Sequence, residues 1–168
     1  KLLTKCWRLQ SNNPMHLAEL NISRWKIDAM SEQASGFMDN ISMINNLAER
    51  SKGFVWRLLD EKRDKNGANA VCPDPDTLMT LSVWESVEHL EHFVWNTVHK
   101  RIYKGKNDWF GALDTHHFVM WWVEEGHQPT VEEAKDRLDC LNFEGNSDRA
   151  FDWSHLPHVK LWQSQQCG

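Results

Sequence analysis

The chain has 168 residues and a mass of 19.7 kDa, a size typical of one domain built around a single core. Hydrophobic residues make up 40% and charged residues 26% of it, and the mean hydropathy is -0.64, which excludes a disordered, collagen-like or membrane-embedded chain. The net charge of -5 disfavours non-specific binding to nucleic acid or anionic lipid, so neither partner is expected.

Three further features bear on location and chemistry. The sequence has no run of about 18 apolar residues and no apolar stretch of the signal-peptide kind near its start, so we expect a cytoplasmic protein without a membrane span. Cys6, Cys72, Cys140 and Cys167 form no C-x-x-C pair and are expected to be free thiols. Ten tryptophans are far more than usual, which indicates a large aromatic core or an aromatic-lined pocket.

The predicted elements follow an N-terminal segment, residues 1–14, that ends in a turn signal. In chain order they are a strand over His16–Ser23, a helix over Gly36–Ser51, strands over Phe54–Leu59 and Thr77–Trp84, a helix from Val87 to about Lys104 capped by Ser86, a strand over Thr115–Val123 and a helix over Pro129–Leu141 capped by Thr130. The order β-α-β-β-α-β with an added C-terminal helix predicts an α+β protein with a ferredoxin-like antiparallel sheet.

The fourth predicted strand has apolar side chains on both of its faces, among them Val119, Met120, Trp121 and Trp122. The helices of such a fold cover only one face of the sheet. A second copy of the chain is the simplest cover for the other face, so we expect a homodimer formed through the sheets.

Several motifs resemble one family, and they occur in the expected order. They are Met15–Asn21 (MHLAELN), Gly53–Leu58 (GFVWRL), Ser82–Ser86 (SVWES), the Trp109-Phe110 pair, Trp121–Val123 (WWV), Gly126-His127 and Pro129–Ala134 (PTVEEA). In these motifs the chain resembles the domain of unknown function 3291 family, which belongs to the dimeric α+β barrel superfamily together with antibiotic-biosynthesis monooxygenases. The resemblance implies a ferredoxin-like protomer, a dimer through the sheets, and a small-molecule cleft between sheet and helices.

The resemblance also gives domain limits and a range of activities. It covers Met15 to Trp153, which predicts an N-terminal extension over 1–14, a dimeric α+β barrel domain over 15–153 and a C-terminal tail over 154–168. Characterised members of the superfamily include cofactor-independent oxygenases of aromatic polyketides, haem-binding degraders and dismutases, and isomerases or dehydratases. The resemblance does not choose among these activities, because one fold carries unrelated chemistry.

His99 is the first candidate for a functional residue. It lies four residues after Trp95 on the second predicted helix, so the two side chains form a polar-tipped aromatic patch that is unusual on a solvent face. An imidazole titrates near neutral pH, so His99 is a candidate general base, and it is also a candidate axial haem ligand. The alternative is a partly exposed histidine that covers the edge of the core.

Arg57 and Asn21 are the other two candidate catalytic residues. Arg57 lies between Trp56 and Leu58 on a short strand, where an arginine must be paired or must face a polar cleft. It is a candidate for binding a substrate carboxylate or enolate, and the alternative is an internal ion pair with Glu19 or Glu85. Asn21 is a candidate hydrogen-bond donor to an oxyanion, and the alternative is a cap at the strand end.

Aromatic residues supply the candidate substrate-binding set. Its members are Trp56, Trp84, Trp95, Tyr103, Trp109 and Trp121, and the alternative for aromatic residues on strands is packing in the core or at a dimer contact. The histidines have no metal-site spacing, so no metal is expected unless His99 binds haem. Nucleotide-binding, serine-hydrolase and zinc-protease motifs are absent from the sequence.

Three functions are consistent with these residues. The first is a small-molecule enzyme of the monooxygenase-like barrel type that acts on an apolar or aromatic metabolite by cofactor-independent acid–base or oxygen chemistry, with His99 as acid or base and Arg57 or Asn21 stabilising negative charge. The second is a haem protein with His99 as the ligand. The third is a non-catalytic protein that holds a hydrophobic ligand in a tryptophan-lined cleft.

Overall fold

The computed structural model describes residues 14–28, 31–59, 76–97, 109–156 and 158. Its elements are β1 (Met15–Arg24), α1 (Glu32–Arg50), β2 (Phe54–Arg57), β3 (Thr77–Trp84), α2 (Val87–Asn96), β4 (Phe118–Glu124), α3 (Val131–Glu144) and a final 3-10 helix (Trp153–His155). This order confirms the predicted α+β class with an extra C-terminal helix.

The strands form one antiparallel sheet in the order β2-β3-β1-β4. β1 is central, with Leu20 opposite Leu81 of β3 and opposite Val119 of β4. Because successive side chains of a strand point to opposite faces, alternate residues of β1 enter two different cores. The sheet order is that of the predicted ferredoxin-like fold.

Each face of the sheet has its own core. On one face Leu17, Trp84 and Met120 pack with Leu90 and Phe93 of α2, and α1 contributes Ile44, Leu47 and Ala48. On the other face the sheet packs against α3, whose buried residues are Val131, Ala134, Leu138, Cys140 and Leu141. The chain therefore has helices on both faces of its sheet.

Helix α3 covers the face of β4 for which the sequence predicted a second copy of the chain. Val119, Trp121 and Val123 form the second apolar face of β4, and the chain's own α3 packs against them. That face of β4 is covered without a second copy of the chain, because the C-terminal helix folds back across the sheet. The homodimer stays a prediction.

Helix ends follow the predicted capping residues but not all of the predicted limits. Ser86 and Thr130 cap α2 and α3, each accepting a hydrogen bond from the backbone N–H three residues further on. α2 ends at Asn96 and not near Lys104, because Thr97 has extended backbone angles and its hydroxyl donates to the carbonyl oxygen of Phe93 at 2.6 Å. Residues 98–108 lie outside the described residues.

Two further predictions concern cysteines and membranes. Cys140 is a free, buried thiol, as predicted, while Cys6, Cys72 and Cys167 lie outside the described residues. None of the helices in the described part of the chain combines the length and the apolar character needed to cross a membrane.

Candidate functional site

A cavity of about 690 Å³ lies between the sheet and the helices α1 and α2. Its volume is within the range of roughly 300 to 1,000 Å³ that is typical of sites for small molecules. The apolar residues of its helical walls are Ile41, Ile44 and Ala48 of α1 and Leu90, Phe93, Val94 and Trp95 of α2. The polar residues of its lining are Glu19, Asn21, Asn45, Arg57, Thr80, Ser82, His116, His117, Asp152 and Ser154.

The floor of the cavity carries two polar cross-strand pairs. Glu19 of β1 is directly opposite Ser82 of β3, and Asn21 is directly opposite Thr80. Both pairs are on the same face, because their members are two residues apart along each strand. Glu19 and Ser82 are buried, Asn21 is half-buried and Thr80 is exposed, so the depth of the floor increases from Thr80 to Glu19.

A directed chain of hydrogen bonds reaches Glu19. The indole Nε1 of Trp84 donates to Ser82 Oγ at 2.9 Å, and the Ser82 hydroxyl donates to Glu19 Oε1 at 2.5 Å. An indole N–H can only donate, so the Ser82 oxygen accepts from Trp84 and its own hydrogen is directed to Glu19. Oε1 of Glu19 is then an acceptor, which leaves Oε2 as the oxygen that carries the proton when the carboxyl is neutral.

Burial changes the titration of Glu19. The residue is only 6% exposed, and loss of solvation raises the pKa of its carboxyl from 4.5 to about 7, although the hydrogen bond from Ser82 opposes the rise. A carboxyl group with such a pKa exists in both protonation states near neutral pH. It can therefore accept or donate a proton there.

Aromatic rings surround the polar floor. Trp84 stacks on Phe93 with ring centroids 5.1 Å apart, and Phe54 meets Trp84 edge-on at 5.4 Å. At the β4 side, Phe118 stacks on Trp153 at 5.5 Å. These rings give the cavity flat apolar walls beside the Glu19 carboxyl.

The segment after α3 closes the cavity at the β4 edge. Phe151 adds a bridge to β4 by exchanging both backbone hydrogen bonds with Met120. The next residue, Asp152, accepts hydrogen bonds from Ser154, and its carboxylate is 3.7 Å from Nδ1 of His116. Hydrogen bonds from Ser154 and Asn146 keep the pKa of Asp152 below its usual value although partial burial opposes them, so an anionic side chain lines this end.

Arg57 lines the cavity but is already paired. Its Nε donates to Glu49 Oε1 of α1 at 2.7 Å, so the ion pair is formed with Glu49 and not with Glu19 or Glu85. Glu49 is on helix α1, and the sequence alone did not predict that α1 lies next to β2. The guanidinium is thus less available to a substrate carboxylate than the sequence suggested.

The structure brings together four of the predicted site residues, namely Asn21, Arg57, Trp84 and Trp95. Trp121 is fully buried on the opposite face and donates from Nε1 to Glu133 of α3 at 2.9 Å, so it contributes to packing and not to this cavity. Trp56 packs against that same opposite core, and Trp109 packs near Trp25. A substrate-binding role in this cavity does not fit these three tryptophans.

His99 and Tyr103 lie outside the described residues, so their proposed roles stay predictions. The haem hypothesis rests on His99 and stays a prediction for the same reason. No three histidine, cysteine, aspartate or glutamate side chains within the described residues converge in a way that could hold a metal ion.

Sequence reasoning treated Glu19 only as a partner for Arg57. The available signal was an acidic residue in a strand with apolar neighbours on both sides, Ala18 and Leu20. A glutamate in a central strand is costly to bury, so the sequence already offered Glu19 as a candidate functional residue.

The structure defines a ferredoxin-like α+β protein with a cavity between the sheet and two helices. The chain belongs to the family described as Domain of unknown function (DUF3291), which it matches over residues 16–167. That match extends beyond Trp153, where the resemblance noted in the sequence ended. No curated protein sequence matches the chain.

Solved structures with similar folds are distant in sequence. A conserved protein from Methanosarcina mazei Go1 has 12% identity and a TM-score of 0.45, with 66% of this chain and 93% of that chain covered. A putative antibiotic biosynthesis monooxygenase from Nitrosomonas europaea has 12% identity and a TM-score of 0.44, covering 68% and 93%. A protein of unknown function from Nitrosomonas europaea has 11% identity and a TM-score of 0.44, covering 70% and 96%.

Proposed function

We propose that the chain is a small-molecule enzyme that binds an apolar or aromatic metabolite in the cavity and moves a proton between that metabolite and Glu19. The observation that carries the proposal is a buried carboxyl on the floor of an aromatic-lined cavity, held in place by Ser82. A carboxyl in this position is costly to keep unless it serves the molecule that fills the cavity.

The chemistry of the step is acid–base. Glu19 accepts a proton at Oε2, because Oε1 already accepts the Ser82 hydrogen bond, and it returns the proton when the product forms. A pKa of about 7 suits both directions at neutral pH, since the ionised and neutral forms are then both populated. No cofactor takes part in this step.

The neighbouring polar groups bind and orient the metabolite. Asn21 is two residues along β1 from Glu19 on the same face, and its amide offers both a donor and an acceptor. Asn21 is thus a candidate for holding a polar group of the metabolite beside Glu19, and the role that the sequence suggested for it, stabilising an oxyanion, stays a prediction. Trp84 and Phe93 are among the lining residues and contribute apolar surface to the space that the metabolite fills.

A comparison of wild type with Glu19→Gln tests the proposal. Each protein is incubated with an extract of the cells that naturally produce it, and small molecules are followed by liquid chromatography and mass spectrometry. We expect at least one compound to be consumed by wild type and to persist with E19Q. The control is Glu91→Gln, because Glu91 of α2 is also buried but is not part of the cavity lining, and this variant should retain turnover.

Equal consumption of a compound by wild type and E19Q would contradict the role given to Glu19. The second candidate function, a non-catalytic ligand-binding protein, is favoured by the largely apolar helical walls. It predicts that a compound co-purifies with both proteins and that neither protein converts it.

A further inference from the structure

We propose that the molecule bound in the cavity carries an amine whose nitrogen pairs with the carboxylate of Glu19, while its apolar part lies against Trp84 and Phe93. This inference rests on the proposed function and names the substrate class of the same site.

The first support is a charge without a partner at the cavity floor. Glu19 receives one hydrogen bond, from the neutral hydroxyl of Ser82, and within the described part of the chain no lysine, arginine or histidine nitrogen lies within 4.0 Å of it. The remaining oxygen, Oε2, lacks a protein donor among these residues. A buried carboxylate is strongly destabilised unless a cation or several donors approach it, so the cavity lacks the group that a ligand cation supplies.

The second support is that two cationic or basic side chains of the lining already lie next to acidic side chains. Arg57 is paired with Glu49, and His116 lies beside Asp152. His117 is exposed at the same end as His116. Among the lining residues that the structure describes, the acidic side chains are Glu19 and Asp152, so an anionic ligand would add to their negative charge in an apolar space.

The third support is the aromatic wall beside the carboxyl. The indole of Trp84 is linked to Glu19 through Ser82 and stacks on Phe93. Aromatic rings attract cations, most strongly when water is excluded, so the aromatic residues of the lining favour an ammonium group and the apolar carbons attached to it. Glu19 and the rings thus select the same kind of ligand.

The pairing fits the proposed proton transfer. The ammonium nitrogen holds the proton in the ion pair, and transfer to Glu19 Oε2 breaks the N–H bond and forms an O–H bond, which leaves a neutral amine and a neutral carboxyl. Charge separation is costly in a buried apolar site, so this transfer relieves it and frees the nitrogen lone pair for reaction.

The pairing also predicts how binding depends on pH. The bound pair holds one proton in total, so affinity falls about tenfold per pH unit below about 7, where Glu19 is protonated in the empty site, and falls again above the pKa of the amine itself. The other titratable groups at the cavity, among the described residues, are Arg57 of β2 with its partner Glu49 of α1, and His116, His117 and Asp152 at the β4 edge. If a histidine contributes to the pH dependence of binding, that contribution persists in E19Q and is identified there.

The experiment uses two probes of nearly equal size, 2-(2-naphthyl)ethylamine and 2-(2-naphthyl)ethanol, in calorimetric titrations of the whole chain between pH 5.5 and 8.5. With wild type we expect the amine to bind about 10- to 100-fold more tightly than the alcohol at pH 8. The affinity for the amine should fall as the pH drops below about 7, whereas the affinity for the alcohol should not depend on pH. E19Q should lose that advantage and leave alcohol binding unchanged, while E91Q should behave as wild type.

Ser82→Ala gives a second readout that does not depend on E19Q folding. Removing the Ser82 hydroxyl raises the pKa of Glu19. The pH below which the affinity for the amine falls should therefore be higher in this variant. Equal binding of amine and alcohol by wild type at every pH would overturn the inference and leave the small-molecule site intact. Binding of neither probe would overturn the proposed cavity function and the inference together.

Discussion

Glu19 and Ser82 face each other across β1 and β3, and the Ser82 hydroxyl donates to the Glu19 carboxyl at 2.5 Å. The pair is in the two central strands, with core residues Leu17 and Leu20 close by on β1. Register alone brings the two side chains together, since directly opposite residues of an antiparallel pair share a face. The hydrogen bond keeps the carboxyl on the cavity floor.

Stability should fall as the pH rises from 4.5 to 7. The pKa of Glu19 is higher in the folded state, about 7, than its ordinary value of 4.5, so the native state binds this proton more tightly. The contribution is fully present below pH 4.5 and is lost as the pH rises through 7, an effect of about 3 kcal/mol at 1.36 kcal/mol per pH unit.

Urea unfolding of wild type and E19Q at pH 5 and pH 8 measures this effect. E19Q should be close to wild type at pH 5 and more stable by about 3 kcal/mol at pH 8, because a neutral amide replaces a buried carboxylate. If wild type instead became more stable relative to E19Q between pH 5 and pH 8, that result would contradict the raised pKa of Glu19.

Ser82→Ala should raise the pKa of Glu19 and destabilise the fold. The hydroxyl donates to Glu19 and accepts from Trp84, so its loss removes one donor from the carboxyl and leaves a buried indole N–H without its acceptor. The cost is about 1 to 3 kcal/mol. Ser82→Thr keeps the hydroxyl and is the matched control; equal pKa values for Glu19 in the alanine and threonine variants would count against the hydrogen-bond chain.

Much of the fold was predictable, for a physical reason in each case. Apolar alternation predicted the central strand, and Ser86 and Thr130 predicted the starts of two helices through their capping side chains. The end of α2 was not predictable from periodicity, because the hydroxyl of Thr97 replaces the next helical hydrogen bond. The covering of β4 by α3 depends on which face of the sheet the helix packs against when the chain turns back after β4, and local patterns do not specify that face.

The site was less predictable than the fold. Trp84 and Trp121 look alike in sequence, yet one lines the cavity and the other is fully buried on the opposite face, because their positions in the sheet differ in phase. Arg57 was recognised as a residue that needs a partner, but Glu49 reaches it only because α1 packs beside β2. The sequence places Glu19 on a strand but does not show how deeply its carboxyl is buried, because that depth depends on the elements that pack around β1.

Gly53→Ala should destabilise the protein more than Gly126→Ala. Both glycines have positive φ, +79° and +85°, which costs other residues about 1 to 2 kcal/mol. A Cβ on Gly53 would also lie 2.1 Å from the ring of His89, whereas one on Gly126 meets nothing within 4 Å. Thermal unfolding of both variants checks this, and equal losses would show that the contact with His89 adds no cost.

Arg57→Ala should have a small effect on stability. The Glu49 side chain is 41% exposed, and ion pairs at such sites contribute about 1 kcal/mol or less. A double-mutant cycle with Glu49→Ala measures the coupling, which we expect to be about 0.5 kcal/mol. A coupling above about 2 kcal/mol would mean that the pair is a buried element of the site.

The most direct test of this account is the pKa of Glu19 itself. Carbon-13 NMR of glutamate-labelled protein follows each side-chain carboxyl from pH 4 to pH 9, and the resonance that disappears in E19Q identifies Glu19. We expect that resonance to titrate at about pH 7, well above the ordinary value of 4.5. Titration of the Glu19 resonance near pH 4.5 would show that the carboxyl is solvated, and it would contradict the proposal that Glu19 transfers a proton in the cavity.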